Sequence, residues 1–200
     1  NTAATVATNS PGTVTDTTAA LSGSVTGNDT TTATTVNFCY STSDDSSGCT
    51  TSAATQSPIN KSQYDTSTSV SKTLTGLLPG TRYYWWIKAS NGSGTTTTQS
   101  GGSFYTQATY TSIDKAYGST AGGDTRVITG VGFTDDDKPA VTFGGDAATS
   151  VTVTNSTTLT VVTPVHAAGT VDIVLTFANG STTVSSGYTY RVAPIISSVS

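Results

Sequence analysis

The chain has 200 residues, enough for one large or two small domains, with a net charge of −4 and only 10% charged residues. Its eight Lys and Arg are spread thinly, which argues against a nucleic-acid partner or an anionic membrane surface. No apolar run approaches the ~20 residues of a membrane helix, so membrane insertion by a helix is not expected either.

Ser and Thr make up roughly a third of the residues. Leu, Ile, Val and Phe together fall slightly under the ~20% level that can accompany disorder, but disorder usually also carries a high net charge. Here the Thr-rich segments alternate with Val, Ile, Tyr and Phe, and Thr is itself a good strand former. The chain therefore reads as folded, all-β and Thr-surfaced. It has no Met and no signal peptide, as expected of a processed or excised piece of a longer product.

Strands recur at short, regular spacing in the first half, the pattern of a sandwich. They are ALSGSV at 20–25, TVNFCYST at 35–42, SVSKTLTGL at 69–77, TRYYWWIKAS at 81–90 and SFYTQ at 103–107. In the second of these Val36, Phe38 and Tyr40 point inward, while Asn37, Cys39 and Ser41 point outward. Leu74 and Leu77 cover the core further on. VNFCYSTS and CTTSAA read as a hairpin turning near Asp44-Asp45, which puts Cys39 and Cys49 roughly opposite each other and makes a cross-strand disulfide geometrically reasonable. Metal binding by two isolated cysteines and one distant histidine is the weaker alternative. A disulfide implies an oxidising compartment.

The stretch GLLPGTRYYWWIKASNGSGT, 76–95, is the most informative. Pro79 and Gly80 mark a turn, and Tyr83, Trp85, Ile87 and Ala89 then share one face at period two. Tyr84, Trp86 and Lys88 share the other face, and Asn91-Gly92 closes the strand with turn chemistry. The stretch resembles the E–F corner and strand F of a fibronectin type III module. That resemblance implies that Tyr83, standing in the position of the corner tyrosine, bonds back to the backbone. It also implies a scaffold or spacer over residues 1–107, a kind of module that seldom does chemistry.

Residues 108–192 carry sharper marks. GGDTRVITGVGF is followed by AVTFGG, by TPVHAAG and by TVDIVLTF. These resemble the glycine-rich strand ending in GxGF, the VxFGG strand, the TP-containing corner and the VDVxV strand of an IPT/TIG domain, another immunoglobulin-like sandwich. Ile128, Val141, Phe143, Val151, Val153, Leu159, Val161, Val171, Ile173, Leu175, Tyr188 and Tyr190 alternate as its inward set. The first strand, TYTSIDKAYG, lacks the prolines usual in the family, and Arg126 stands where an apolar residue is common. The expected architecture is thus two tandem immunoglobulin-like β-sandwiches. The tail 193–200, with Pro194, Ile195, Ile196 and Val199, reads as the start of a further repeat or as an assembly strand exchanged with another subunit.

Little in the chain suggests catalysis. His166 is the only histidine, and the resemblance places it at a corner; no GxSxG, HExxH or phosphate-binding loop occurs, and no triad can be assembled. An enzyme is not expected, and no cofactor. Asp135, Asp136 and Asp137, with Asp146, are weak calcium candidates, since consecutive carboxylates diverge and more often form a solvated tip. Tyr84 and Trp86, facing outward, can stack on a sugar or anchor a protein. Asn28, Asn60, Asn91, Asn155 and Asn179 stand in N-x-S/T form, too few beyond chance to argue glycosylation. The leading expectation is a structural or adhesive segment of a secreted or cell-surface prokaryotic protein, extending to a filament subunit. Its partners would be neighbouring modules, other subunits or glycans. Two readings stay open beside it: a carbohydrate-binding or spacer module of a polysaccharide-degrading enzyme, and a virion decoration or tail protein.

Overall fold

The structure, a computed structural model, describes residues 2–27, 32–59, 66–93 and 96–193, and its regular elements among these are all β-strands. The chain divides into two compact units, Asn1–Thr106 and Gln107–Ser200. Each is an immunoglobulin-like β-sandwich.

In the first unit β1 (Thr5–Thr8), β2 (Ala19–Thr26) and β5 (Ser67–Leu74) form one sheet in the order β1-β2-β5. The other runs β4-β3-β6-β7, from β3 (Thr35–Ser41), β4 (Thr50–Ala53), β6 (Arg82–Ser90) and β7 (Thr96–Tyr105). The period-two pattern decides which side chains meet between them. Ala19, Leu21 and Val25 of β2 face Val36, Phe38, Trp85, Ile87 and Ala89 of the opposite sheet in a single apolar core. Trp85 lies at its centre with Phe38 stacked beside it, ring centroids 6.0 Å apart. β7 opposes β6 with a bulge: Trp85 pairs with Gly102 and Trp86 with Ser100, leaving Gly101 as the extra residue.

The turn before β6 forms the expected corner. The Tyr83 hydroxyl accepts the Leu78 backbone N–H at 3.1 Å, five residues upstream. The ring is 7% exposed and stacks on Phe104 at 5.8 Å. Tyr83→Phe keeps the ring and orphans the Leu78 donor, so the first unit should lose about 1–2 kcal/mol. Tyr84→Phe, on the outer face, should cost much less. Urea melts of the two variants check this, and equal losses would show that the corner bond carries no weight.

The second unit pairs β13 (Ser150–Asn155), β14 (Thr158–Val162), β10 (Thr125–Val131) and β8 (Thr109–Ile113) in one sheet, in that order. The other has the order β12-β11-β15-β16-β9. Its strands are β9 (Tyr117–Ser119), β11 (Ala140–Phe143), β12 (Asp146–Ala147), β15 (Gly169–Phe177) and β16 (Gly180–Arg191). Most of the inward set read from the sequence is buried here, while Val151, Val153 and Val171 are half-buried and packed against that core. Phe133 and Phe177 join it.

One expected strand divides in two. TYTSIDKAYG supplies both β8, antiparallel to β10, and β9, parallel to β16 in the opposite sheet. Asp114 makes the switch possible. Its backbone N–H donates to the Val127 carbonyl and its carboxylate accepts the Val127 N–H, which ends pairing with β10 and frees the chain to cross.

Candidate functional site

Strand β6 carries its polar and aromatic stripe on the outer face of its sheet. Arg82, Tyr84, Trp86 and Lys88 follow one another there, flanked by Asn37, Cys39 and Ser41 on β3 and by Thr98, Ser100, Ser103 and Tyr105 on β7. Cys39 and Cys49 are bridged, with Cα atoms 5.6 Å apart. They are not direct register partners, because Cys39 opposes Thr51 and Cys49 stands just ahead of β4. The bridge therefore pulls the connecting loop back over the sheet.

That loop changes the outer face. Trp86 points outward as expected yet is only 6% exposed, and Cys39 is fully buried. Trp86 is thus no open aromatic platform. The cause lies in the residues around it: Cys39 is its cross-strand neighbour, and Lys88, one step further along the stripe, donates its ammonium to the Ser46 carbonyl in the loop. Alternation gives a side chain's direction but not what lies over it. Within the loop the Asp45 carboxylate accepts both the N–H and the hydroxyl of Ser47, at 2.8 and 2.9 Å. Those bonds, first the backbone one, hold its pKa below the ordinary carboxylate value, and the charge of Lys88 adds a smaller pull.

Tyr84 remains half-buried and reachable. Beside it sits a group the sequence reading did not single out. The Arg82 guanidinium carbon lies 4.9 Å from the Tyr84 ring centroid and 5.8 Å from that of Tyr105. Its Nε and Nη2 both donate to the Ser103 hydroxyl at 3.3 Å. Two tyrosines spaced one strand apart with an arginine between them were visible in TRYYWW and SFYTQ, but only the register joins them.

The second unit has a different polar cluster, buried at one end of its core. Arg126 lies on the same face of β10 as the buried Ile128, which explains why it stands where an apolar residue is common. Its side chain is 12% exposed, with Nη2 3.3 Å from Asp124 Oδ1. Nη2 also donates to the Tyr117 carbonyl at 3.0 Å, and the guanidinium lies 5.9 Å from the Tyr188 ring centroid. Asp124 Oδ2 accepts the Ser119 N–H at 2.7 Å. Tyr188 and Tyr190 meet edge to face at 5.0 Å, and both hydroxyls are buried without a hydrogen-bond partner. Burial pushes the Tyr190 phenol up to about 12. It raises Tyr188 as well, where Arg126 and Thr163 lie close enough to offset part of the rise without completing a hydrogen bond.

His166 stacks on Tyr190 at 4.9 Å, and its Nδ1 sits 2.8 Å from the Ala167 carbonyl. Its Nε2 lies 4.0 Å from Asp146 Oδ2. The histidine is thus fastened to a corner, beside an acid rather than a nucleophile. Asp146 faces His166. Asp137 accepts the Ala178 N–H at 3.1 Å and donates its own to Thr134, while Asp135 and Asp136 are exposed in that turn. Among the described residues no group of three or more His, Cys, Asp or Glu can hold a metal ion, so the calcium candidates are not brought together.

Asn91 is 8% exposed, and its amide donates to the carbonyls of Thr2 and Gly27, which leaves it closed to a glycan. Asn155 and Asn179 are exposed at turns. Asn28, Asn60 and the assembly residues Pro194, Ile195, Ile196 and Val199 lie outside the described residues.

Comparison with solved structures finds matches at low identity. The chain is similar to SGBP-B from a complex xyloglucan utilization locus in Bacteroides uniformis, with 19% identity over 93% of this chain and 48% of that one, TM-score 0.37. It is also similar to the surface glycan-binding protein PbSGBP-B from Prevotella bryantii, with 18% identity over 92% of this chain and 41% of that one, TM-score 0.39. The FN1–FN3 domains of chicken CNTN1 match at 14% identity over 88% of this chain and 62% of that one, TM-score 0.34. The chain spans less than half the length of both SGBP-B chains. No curated protein matches it. One family model does match, covering the unit whose glycine-rich strands, TP-containing corner and buried Tyr188–Tyr190 pair have just been described: residues 108–192 form an IPT/TIG domain.

Proposed function

We propose that this chain is a non-catalytic structural or adhesive segment of a secreted or cell-surface modular protein, in which a fibronectin type III-like module precedes the IPT/TIG domain. The Cys39–Cys49 bridge carries the reading, because such a bond persists in an oxidising compartment. The corner bond of Tyr83 supports the fibronectin-like assignment of the first unit. A non-catalytic role fits the way ionisable groups are used: Asp45, Asp114, Asp124 and Asp137 all accept backbone N–H groups, and His166 is stacked and tied to its neighbour's carbonyl. Neighbouring modules and other subunits of the same protein are the partners this role implies.

Protein taken from its source cells should show no reactive thiol when unfolded without reductant, and two after reduction. An antibody against the chain should label intact cells. Two free thiols together with label confined to lysed cells would place the protein in a reducing interior and remove the reading.

A further inference from the structure

We propose that Arg82 is the centre of a carboxylate-binding site on the outer face of β6 and β7, and that it takes one uronic-acid unit of an acidic polysaccharide. A guanidinium has two edges that can each grip an oxygen pair. The edge formed by Nε and Nη2 is spent on the Ser103 hydroxyl, both bonds at 3.3 Å. The other edge, Nη1 with the second hydrogen of Nη2, is left for a planar bidentate partner, and among the described residues Nη1 makes no hydrogen bond. Arg82 itself is exposed.

Ordinary surface arginines move among rotamers, and ordering one on binding costs affinity. This one is held in place beforehand. Tyr84 and Tyr105 lie 4.9 and 5.8 Å from its central carbon, and its register partners on two paired strands fix the frame. The site is therefore preorganised for an anion before any ligand arrives.

The surroundings select the anion. Ser41 and Ser103 both oppose Tyr84 at this end of the face, so among the described residues the guanidinium has neutral hydroxyl groups for neighbours. Lys88, the other cation of the stripe, is already engaged by the Ser46 carbonyl. A uronic acid offers the matching pattern, one carboxylate among hydroxyls. An acidic peptide offers carboxylates but no hydroxyl groups to meet the serines beside the guanidinium, so it matches only half of the pattern. This inference goes beyond the structural role proposed above and does not depend on it.

The test is calorimetric titration of the full chain with three probes: polygalacturonate, neutral dextran and poly-aspartate. Polygalacturonate should bind and the other two should not. Arg82→Gln and Arg82→Lys should each weaken binding by about tenfold or more, the worth of a charge-assisted bidentate contact. Both should melt with the parent, since Arg82 is exposed. Backbone amide shifts on titrating the unaltered chain should centre on residues 82–84 and 103–105, a readout that needs no variant. Absence of polygalacturonate binding, equal binding of poly-aspartate, full retention by Arg82→Lys, or shifts centred elsewhere would each overturn the site.

Discussion

Gly101→Ala should cost the first unit roughly 3 kcal/mol, at or beyond the upper end of ordinary overpacking. An ideal Cβ at Gly101 falls 2.1 Å from both Cε2 and Cζ2 of Trp85 and 2.5 Å from Cδ2. No real contact is that short, so either the indole leaves its place or the bulge opens. The indole has nowhere to go: it is fully buried and stacked on Phe38. The bulge is equally constrained, because Gly102 follows at φ +84°, a conformation that side chains rarely adopt. Trp85→Leu shrinks the obstacle and should itself cost several kcal/mol, on the order of other large-to-small core changes. Adding Gly101→Ala to it should then cost much less than in the parent, giving a coupling of more than about 1 kcal/mol. Urea unfolding of the four proteins measures that coupling. Additive losses would mean that the alanine acts through the backbone of the bulge and not through the ring.

The same pair illustrates what the sequence makes legible. Alternation in RYYWWIKAS assigns Trp85 inward and Trp86 outward, and the resemblance of this stretch to a fibronectin type III corner implies the Tyr83 bond that Leu78 completes. It cannot announce the bulge, because Gly101 reads as one more small residue until its partner strand is known. Nor can it show that Trp86 is covered. The covering loop, STSDDSSG, is polar throughout and looks like a solvated tip. Its position follows from a disulfide that joins non-opposed residues and from one lysine contact with a carbonyl. In the second unit the inward set was legible because strands there alternate cleanly. The change of sheets after Ile113 was not, since it depends on Asp114 meeting Val127 on the neighbouring strand β10. Arg126 stood out by its position alone, while its partner Asp124 and the carbonyl of Tyr117 came only with the fold. The Arg82 frame was hidden for the same reason: its members lie on two strands joined by register.

Asp124→Ala should cost the second unit about 3 kcal/mol, whereas Arg126→Met should change its stability by less than about 1 kcal/mol. The asymmetry follows from where each charge sits. Arg126 is 12% exposed and Asp124 is 29% exposed, so removing the acid strands a buried cation beside apolar rings, while removing the cation leaves an acid that water can still reach. Asp124 also accepts the Ser119 N–H, which the alanine variant would orphan. The partial exposure of the acid places the expected loss at the low end of the range for breaking buried pairs. Methionine, by contrast, fills the straight stem of the arginine and packs against Tyr188, 5.9 Å from the present guanidinium carbon. It forfeits the donor to the Tyr117 carbonyl and gains back the desolvation penalty of the charge, two effects of similar size and opposite sign. Asp124→Asn keeps an acceptor for Ser119 but no charge for Arg126 and should fall between the two. Urea melts followed by tyrosine fluorescence, which Tyr188 and Tyr190 supply to this unit, would rank the three variants. Equal losses for Asp124→Ala and Arg126→Met would show that the ion pair stabilises the unit as a whole, and that the buried arginine costs nothing to keep.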